Sequence, residues 1–306
     1  MSTQTAVALH NNLSNDFSIL KKKKRTSDMV LRVLIIICAF IAVALIAGII
    51  IYVVIRGVPV LIANPNFIIG QRSFLQGTYG ILPNIINTLY IIVITLLIAT
   101  PLGVGSAIFL NEYAKPGKLV KIIEFTTETL SGIPSILFGL FGMVFFGNVC
   151  GMGTSILCGC LTLTLMILPT ITRTAQEALK TVPLSYRSGA LGIGATKWYM
   201  IRTVILPSSI GGIATGVILA IGRIVGESAA LIFTAGSGSN MVSDFFGHTM
   251  QSGATLTVEM YLRYTANNDT DNAFGIALVL IVLVLIINIC AGLVRNRFAK
   301  KTSAEG

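Results

Sequence analysis

Six long apolar blocks are the sequence feature that most constrains the fold of this 306-residue chain. A helix needs about 20 apolar residues to cross a hydrocarbon core roughly 30 Å thick, and most of the blocks reach that length. Every backbone polar group must be paired inside a membrane, so such blocks predict helices. The blocks are Val30–Ile55, Leu82–Leu110, Ile122–Phe146, Thr154–Thr172, Ile210–Phe233 and Ala273–Val294.

The composition agrees with a membrane location. Charged residues make up 11% of the chain and hydrophobic residues 54%, whereas about 25% of the residues of a soluble domain are charged. We therefore predict an all-α polytopic membrane protein with six transmembrane helices, located in the cell (cytoplasmic) membrane.

The net charge of +10 is explained by the membrane topology of the chain. With a cytoplasmic N-terminus, eighteen of the 22 Lys and Arg residues fall on the inside, and only Arg56, Arg72 and Arg263 fall outside. This distribution follows the positive-inside rule and predicts that both termini are cytoplasmic. The run Lys21–Arg25 is explained by contact with anionic membrane lipid, and no nucleic acid partner is predicted.

The chain divides into a polar, basic tail over residues 1–28 and a transmembrane domain over residues 29–306. Within that domain, residues 173–207 form the one long inside loop. Residues 235–272 form the longer outside loop, whose spaced aromatic and aliphatic residues predict short interfacial helices.

The cysteines and histidines of the chain do not indicate an enzyme. Cys150, Cys158 and Cys160 lie near an outward turn, where a disulfide from Cys150 and free packing cysteines are both possible. His10 and His248 are the only histidines and fit no metal-ligand pattern. The chain has no G-x-x-x-x-G-K-[ST] phosphate-binding loop, so we predict no ATP site, no metal, no cofactor and no enzymatic activity of its own.

Arg223 and Glu227 stand four residues apart in an otherwise uncharged apolar run. Each charge costs at least about 2.5–3.5 kcal/mol at the centre of a membrane helix, so the two need compensation. They could form a structural pair, within one helix at i,i+4 or between helices. Alternatively, Arg223 lines a translocation pathway and binds a substrate oxyanion, while Glu227 holds it or balances its charge. Gly222 and Gly226 predict close packing on a neighbouring helix.

The inside loop contains its own helix signals. Leu191–Gly194 offers a flexible break, because glycine adopts backbone angles that other residues avoid. Thr196 can cap a short helix over Lys197–Met200, and Pro207 marks the entry to the next span. The loop could be an ordinary helical hairpin on the membrane surface or a docking element for a partner.

Several segments resemble the PstA permeases of phosphate importers, which belong to the type I ABC importer permease family. In "GATKWYMIRTVILP", nine residues separate Gly194 from Val204, which is followed by Leu206 and Pro207, as in the family's cytoplasmic signature. The chain has Ser188–Ala190 where the family has Glu-Ala-Ala. PstC permeases share the arrangement, but the likeness to PstA is greater. The other matching segments are "NTLYIIVITLLIATPLGVGSAIFLNEYA", "LSGIPSILFGLFG", "RTAQEALKTVPLSYR" and "ILAIGRIVGESAALIFTA".

This resemblance implies a type I importer permease fold with its core at about 81–294. It implies that Arg223 and Glu227 line the pathway, and that ATP is bound by partner subunits. The implied partners are two ATP-binding subunits, a second permease subunit similar to PstC, and an extracytoplasmic phosphate-binding protein. The residues implied in coupling to the ATPase are Gly194, Ala195, Thr196, Lys197, Trp198, Tyr199 and Met200.

Two other functions remain open from the sequence. The protein could be a permease for another oxyanion, such as molybdate or sulfate. It could also be a proton-coupled secondary transporter in which Glu227 is the titrating group, although the long inside loop with Trp198 argues for a docking partner.

Overall fold

The structure is a computed structural model that describes residues 26–70, 80–115, 117–239, 244 and 247–304. The basic run Lys21–Arg25 and most of the predicted tail lie outside the described residues, as do Arg72 and parts of the outside loop. Apart from one isolated bridge between Ser239 and Gly253, the described residues form helices and turns.

Eleven α-helices are found in the described part of the chain. In chain order they are α1 (Thr26–Ala63), α2 (Leu82–Ile108), α3 (Lys118–Ser131), α4 (Ser135–Gly142), α5 (Ile156–Lys180), α6 (Leu184–Gly192), α7 (Lys197–Met200), α8 (Leu206–Gly226), α9 (Ala229–Thr234), α10 (Leu256–Thr265) and α11 (Thr270–Ala304). Wider π-helical turns extend α2 over Phe109–Tyr113, extend α4 over Met143–Val149, and join α7 to α8 over Ile201–Ile205.

Five helical segments are long and apolar enough to cross a membrane. The shortest of them has 25 residues, which is about 38 Å at a rise of 1.5 Å per residue. Together with one bent pair of helices they give the six predicted spans. The five are Met29–Ala63, Leu82–Tyr113, Ile156–Lys180, Lys197–Gly226 and Thr270–Arg297.

The third predicted span, Ile122–Phe146, is not one straight helix. Helix α3 and the segment that begins with α4 meet at a bend of 101°. Pro134 stands at the bend with an extended ψ of 138°, and the residue before a proline is disfavoured in helical conformation. The helix therefore ends before Pro134 and restarts after it.

Contacts at both ends show that this bent pair still crosses the bundle. Helices α2 and α5 begin on one side, where Asn84 and the backbone N–H of Ile156 both bond to the segment 251–254. They end together on the other side, where Arg187 bonds to both Glu112 and the carbonyl of Leu179. The chain between α2 and α5 must therefore return across. We call the Arg187 side the inner side, predicted to be cytoplasmic, and the opposite side the outer side.

The chain divides into two compact units, and the division falls within α1 between Tyr52 and Val53. In the first unit, all the side chains from Met29 to Tyr52 are exposed, which suits an apolar helix in lipid. The second unit, from Val53 onward, contains the core.

The core of the second unit lies where α2, α5 and α8 pack together. Ile91, Ile167 and Ile224 are buried there, one from each helix. Glycine lets two backbones approach closely: a Cβ at Gly103 of α2 would lie 2.6 Å from Ile171 Cγ2 of α5. The glycines within the predicted spans thus include true packing positions.

Two helix boundaries differ from the sequence prediction. Helix α5 continues to Lys180, beyond the predicted end at Thr172, and the fifth span begins at Lys197, well before Ile210. The reason is that a helix can continue past the apolar core, where its polar side chains meet water. The predicted inside loop 173–207 is therefore largely helical.

Candidate functional site

Arg223 lies near the C-terminal end of α8 and is half-buried. Its Nη1 donates to Thr170 Oγ1 over 3.4 Å. Thr170 lies near the middle of α5, about 21 Å from the helix start at Ile156 by helical rise. Arg223 thus places its charge level with the middle of α5, as its position within the apolar block predicted.

Glu227 belongs to a different structural element. Helix α8 ends at Gly226, and Glu227 has an extended backbone with φ −80° and ψ 126°. Its side chain is turned into the protein, where Oε1 accepts a hydrogen bond of 3.0 Å from the backbone N–H of Ala230. Only 9% of the residue is exposed. Glu227 therefore provides a hydrogen-bond acceptor for a backbone N–H in the first turn of α9.

The i,i+4 ion pair between Arg223 and Glu227 is not formed. Among the described residues, no carboxylate lies within 4.0 Å of the Arg223 guanidinium. The spacing of four brings side chains together only on a continuous helix, and the helix ends between them. The interpretation as an ion pair within one helix was wrong for this reason.

Helix α10 supports this helix break from the outer side. Thr257 Oγ1 donates to the carbonyl of Val225, one of the acceptors that the end of α8 leaves without a helical partner. Within α10 itself, Arg263 Nε donates to Glu259 Oε1 over 2.9 Å, and both side chains are nearly buried. The outside loop thus contains a short helix, as predicted, and this helix packs on the end of α8. An interfacial position for it stays a prediction.

The surface of α8 beside Arg223 is uncovered. Gly222 and Gly226 are exposed, and a Cβ built at either position would have no described atom within 4 Å apart from its chain neighbours and the nearby backbone of its own helix. The helix packing predicted for these two glycines is therefore absent within the described chain. Arg223 stands at the edge of a smooth open surface that lipid, a second subunit or an aqueous cavity must cover.

Helices α6 and α7, with the turn between them, form the inner segment of the chain. Its structure agrees closely with the helix signals in the sequence. Gly194 has a φ of +85°, in the left-handed region that favours glycine, and its N–H bonds to the carbonyl of Leu191 at the end of α6. Thr196 Oγ1 then accepts from the backbone N–H of Tyr199 over 3.3 Å and caps α7. The break and the cap were both predicted.

Exposure divides the residues of this segment into two groups. Trp198 and Tyr199 are 61% and 60% exposed. Ile193 and Leu184 are exposed as well. Met200 is only 2% exposed and belongs to the inner apolar core. Met200 was predicted to contact a partner, but its burial makes it a packing residue.

Sequence reasoning missed an ion pair beneath this segment. Arg187 of α6 contacts Glu112 at the end of α2, with 2.9 Å between Arg187 Nη2 and Glu112 Oε1. Nearby, Lys197 Nζ lies 4.9 Å from the ring centre of Tyr113. The partners are separated by 75 and more residues in the chain, so no local pattern could have paired them.

A buried histidine on the outer side was missed as well. His248 is fully buried, with Nε2 at 2.8 Å from Asn87 Oδ1 and its ring edge-on to Tyr90. Asn84 Nδ2 donates to the carbonyl of Ala254 in the same region. These contacts fasten the outside loop to the start of α2.

The cysteines remain separate. All five lie among the described residues and are free. Cys150 is exposed, whereas Cys158 and Cys160 are buried in α5. The structure therefore contains no disulfide in the outward turn. Among the described residues, no three His, Cys, Asp or Glu side chains form a group that could hold a metal ion.

These features define a class of protein. Among the membrane-spanning helices, a half-buried arginine lies beside an uncovered helix surface, and the inner side presents exposed aromatic side chains. The protein is a multi-pass permease of the cell membrane. It belongs to the family of binding-protein-dependent transport system inner membrane components, whose sequence pattern matches residues 99–304. It is therefore a permease subunit of an ABC importer, a kind of subunit that is generally not catalytic itself.

Relatives and solved structures agree with this assignment. The chain is 36% identical over 281 residues to the probable ABC transporter permease protein YqgI of Bacillus subtilis, covering 88% of this chain and 95% of that protein. It is 34% identical to the phosphate transport system permease protein PstA of Xylella fastidiosa, over 67% of this chain and 71% of the relative.

A solved bacterial alginate ABC transporter, in complex with an alginate pentasaccharide-bound periplasmic protein, contains a chain of the same fold. The TM-score is 0.65 at 16% identity, with 90% of this chain and 99% of that chain covered. At this identity the likeness concerns the fold alone.

Proposed function

We propose that this permease forms half of the translocation pathway of an ATP-driven phosphate importer. The observation that carries the proposal is Arg223, a half-buried guanidinium level with the middle of α5, with no described carboxylate within 4.0 Å and an uncovered helix surface beside it. The PstA relative supports phosphate as the substrate.

Arginine suits this substrate chemically. Its planar guanidinium can donate two parallel hydrogen bonds to a phosphate group, which gives both strength and orientation. In the structure, Nη1 makes one long hydrogen bond, of 3.4 Å, to the Thr170 hydroxyl. A bond of that length is readily exchanged for shorter, charge-assisted bonds to a passing oxyanion.

Glu227 contributes through the shape of the pathway. Its carboxylate caps α9 and so fixes the break after Gly226, beside the surface on which Arg223 stands. This role replaces direct balancing of the arginine charge, since the two side chains are not paired. Because residues 222 and 226 are glycines, the backbone near Arg223 is also free of side-chain bulk.

The inner segment is proposed as the docking surface for ATP-binding subunits. Its exposed side chains include the aromatic residues Trp198 and Tyr199, and such residues are enriched in interface centres. Gly194, Ala195, Thr196 and Lys197 shape and present this surface. The helix from Lys197 to Gly226 then connects the docking surface to Arg223 without interruption.

The remaining partners are also proposals. The assembly would contain two ATP-binding subunits, a second permease similar to PstC that covers the open surface of α8, and an extracytoplasmic phosphate-binding protein. The partner subunits bind the ATP, so this chain needs no cofactor. Membrane lipid surrounds the exposed part of α1.

Uptake of labelled phosphate tests the proposal, in cells that lack other phosphate importers and express the whole transporter. Replacing Arg223 by Gln should lower uptake by roughly ten- to a hundredfold, because charge-assisted hydrogen bonds contribute about 1.5–3 kcal/mol. The matched control is Arg202→Gln, which removes an exposed arginine on the inner side. Normal uptake by the Arg223 variant would remove that residue from the pathway.

Competition separates phosphate from the other oxyanions. Excess sulfate or molybdate should leave phosphate uptake unchanged; strong inhibition by either would assign the permease to that anion instead. A proton-coupled transporter is disfavoured by family membership. It would be indicated only if uptake continued without the ATP-binding subunit.

A further inference from the structure

Arg187 joins three parts of the inner side through one guanidinium group. Nε donates to both carboxylate oxygens of Glu112, over 3.2 and 3.4 Å, and Nη2 donates to Glu112 Oε1 over 2.9 Å. Nη2 also donates to the carbonyl of Leu179 over 2.9 Å, and Nη1 donates to that of Val182 over 2.6 Å. Glu112 ends α2, whereas Leu179 and Val182 mark the end of α5.

This pair is shielded from water. The side chains of Arg187 and Glu112 are only 16% and 5% exposed, and Asn111 Nδ2 donates a further hydrogen bond of 2.7 Å to Glu112 Oε1. An ion pair that is shielded and held by several hydrogen bonds keeps one geometry, unlike exposed pairs, which contribute little. The carbonyls that Arg187 binds are helix-end acceptors, which favour a cation.

The surroundings strengthen this connection. Lys197 of α7 lies over the ring of Tyr113, one residue after Glu112. An apolar cluster beneath both contacts contains residues of α2, α5 and the helix that begins at α7. Its buried members are Ala107, Ala175, Ala178, Leu179, Val182, Met200, Ile201, Ile205 and Ile213.

The opposite end of α2 is fastened to the outside loop. Asn87 contacts His248, and Thr88 Oγ1 accepts from the backbone N–H of Leu256 over 3.0 Å. Helix α2 with its π-helical turn contains 32 residues, about 48 Å at 1.5 Å per residue. One helix thus runs from the inner ion pair to the outside loop.

We propose that Arg187 is a positioning residue that makes α2 move together with the inner segment, the proposed docking surface. The proposal rests on the docking function proposed above and adds a second route through the protein. Helix α8 is joined to the inner segment by the chain itself. Helix α2 is joined to it through side chains, Glu112 with Arg187 and Tyr113 with Lys197. Through α2, a conformational change at the outside loop is transmitted to the ATP-binding subunits. Closure of those subunits is transmitted to the outside loop in the same way.

ATP hydrolysis by the assembled transporter in proteoliposomes tests this role, with and without a phosphate-loaded binding protein outside. In Arg187→Met, the ATP-binding subunit should still co-purify and basal hydrolysis should be retained. Stimulation by the binding protein, and phosphate transported per ATP hydrolysed, should both fall by about tenfold. Arg187→Lys keeps the charge but not the fork of donors, so it should be intermediate.

The matched control is Arg202→Met, which removes an exposed arginine of the neighbouring π-helical turn and should behave as wild type. If Arg187→Met fails to assemble, the double variant Glu112→Met, Arg187→Met removes the buried charges together and leaves none uncompensated. This double variant should assemble and remain uncoupled.

Wild-type coupling in Arg187→Met, or in an assembled double variant, would overturn the positioning role and leave the docking proposal intact. Failure of the wild-type transporter itself to couple ATP hydrolysis to phosphate uptake would instead overturn the proposed function. The two proposals are therefore tested separately by the same preparations.

Discussion

The carboxylate of Glu227 accepts a hydrogen bond of 3.0 Å from the backbone N–H of Ala230. This contact spans the break between α8 and α9 and orders the chain one turn beyond Arg223. The side-chain oxygen of Glu227 thus pairs a backbone N–H inside the membrane, where an unsatisfied N–H would be costly.

Substitution of Glu227 should separate capping from charge. Glu227→Gln keeps an acceptor oxygen for Ala230 and should retain most phosphate uptake. Glu227→Ala loses the cap and should destabilise the protein by about 1 kcal/mol, with reduced uptake. Thermal unfolding in detergent and uptake in cells measure the two effects. Equal impairment of both variants would show that the negative charge itself is required.

Close helix packing at Gly103 can be tested against its neighbour Gly105 on the same helix. A Cβ at Gly103 would lie 2.6 Å from Cγ2 of Ile171, a stiff β-branched side chain, whereas Gly105 has open space. Gly103→Ala should destabilise the protein by about 1–3 kcal/mol. Gly105→Ala should be neutral or stabilising by up to about 1 kcal/mol. Equal melting temperatures in detergent would contradict the close approach of α2 and α5.

Trp198 and Met200 should behave in opposite ways although they lie only two positions apart in the chain. Trp198→Ala should leave the stability of the isolated permease unchanged and weaken co-purification with the ATP-binding subunit, because the indole is exposed. Met200→Ala removes a buried side chain and should cost about 2–5 kcal/mol of stability. A stability loss in Trp198→Ala with normal docking would contradict the assignment of this surface.

His248 should control the order of the outside loop. His248→Ala removes the contact with Asn87 and leaves a buried amide with fewer partners, at a cost of about 1–3 kcal/mol. Hydrogen exchange at Ala254 and Leu256 should therefore become faster. Met250→Ala, an exposed change in the same turn, is the control. Unchanged exchange in the His248 variant would show that other contacts hold the loop.

The spans, the break at Gly194 and the cap at Thr196 could be predicted because each depends on local residues. Transfer of an apolar block into lipid is nearly a property of the block alone. A glycine at a helix end and a threonine at a helix start likewise act within a few residues. The burial of Met200 needed the packed structure, since its neighbours Trp198 and Tyr199 are exposed on the same short helix.

The sequence by itself determined that this is a helical membrane protein with an arginine among its spans and an aromatic segment on its inner side. Only the tertiary structure decided the partners of the charges. Arg187 meets Glu112 across 75 residues, and Glu227 turns away from Arg223 toward Ala230. The physical reason is that hydropathy is a property of each segment, whereas a charge pair depends on which helices meet and where each helix ends.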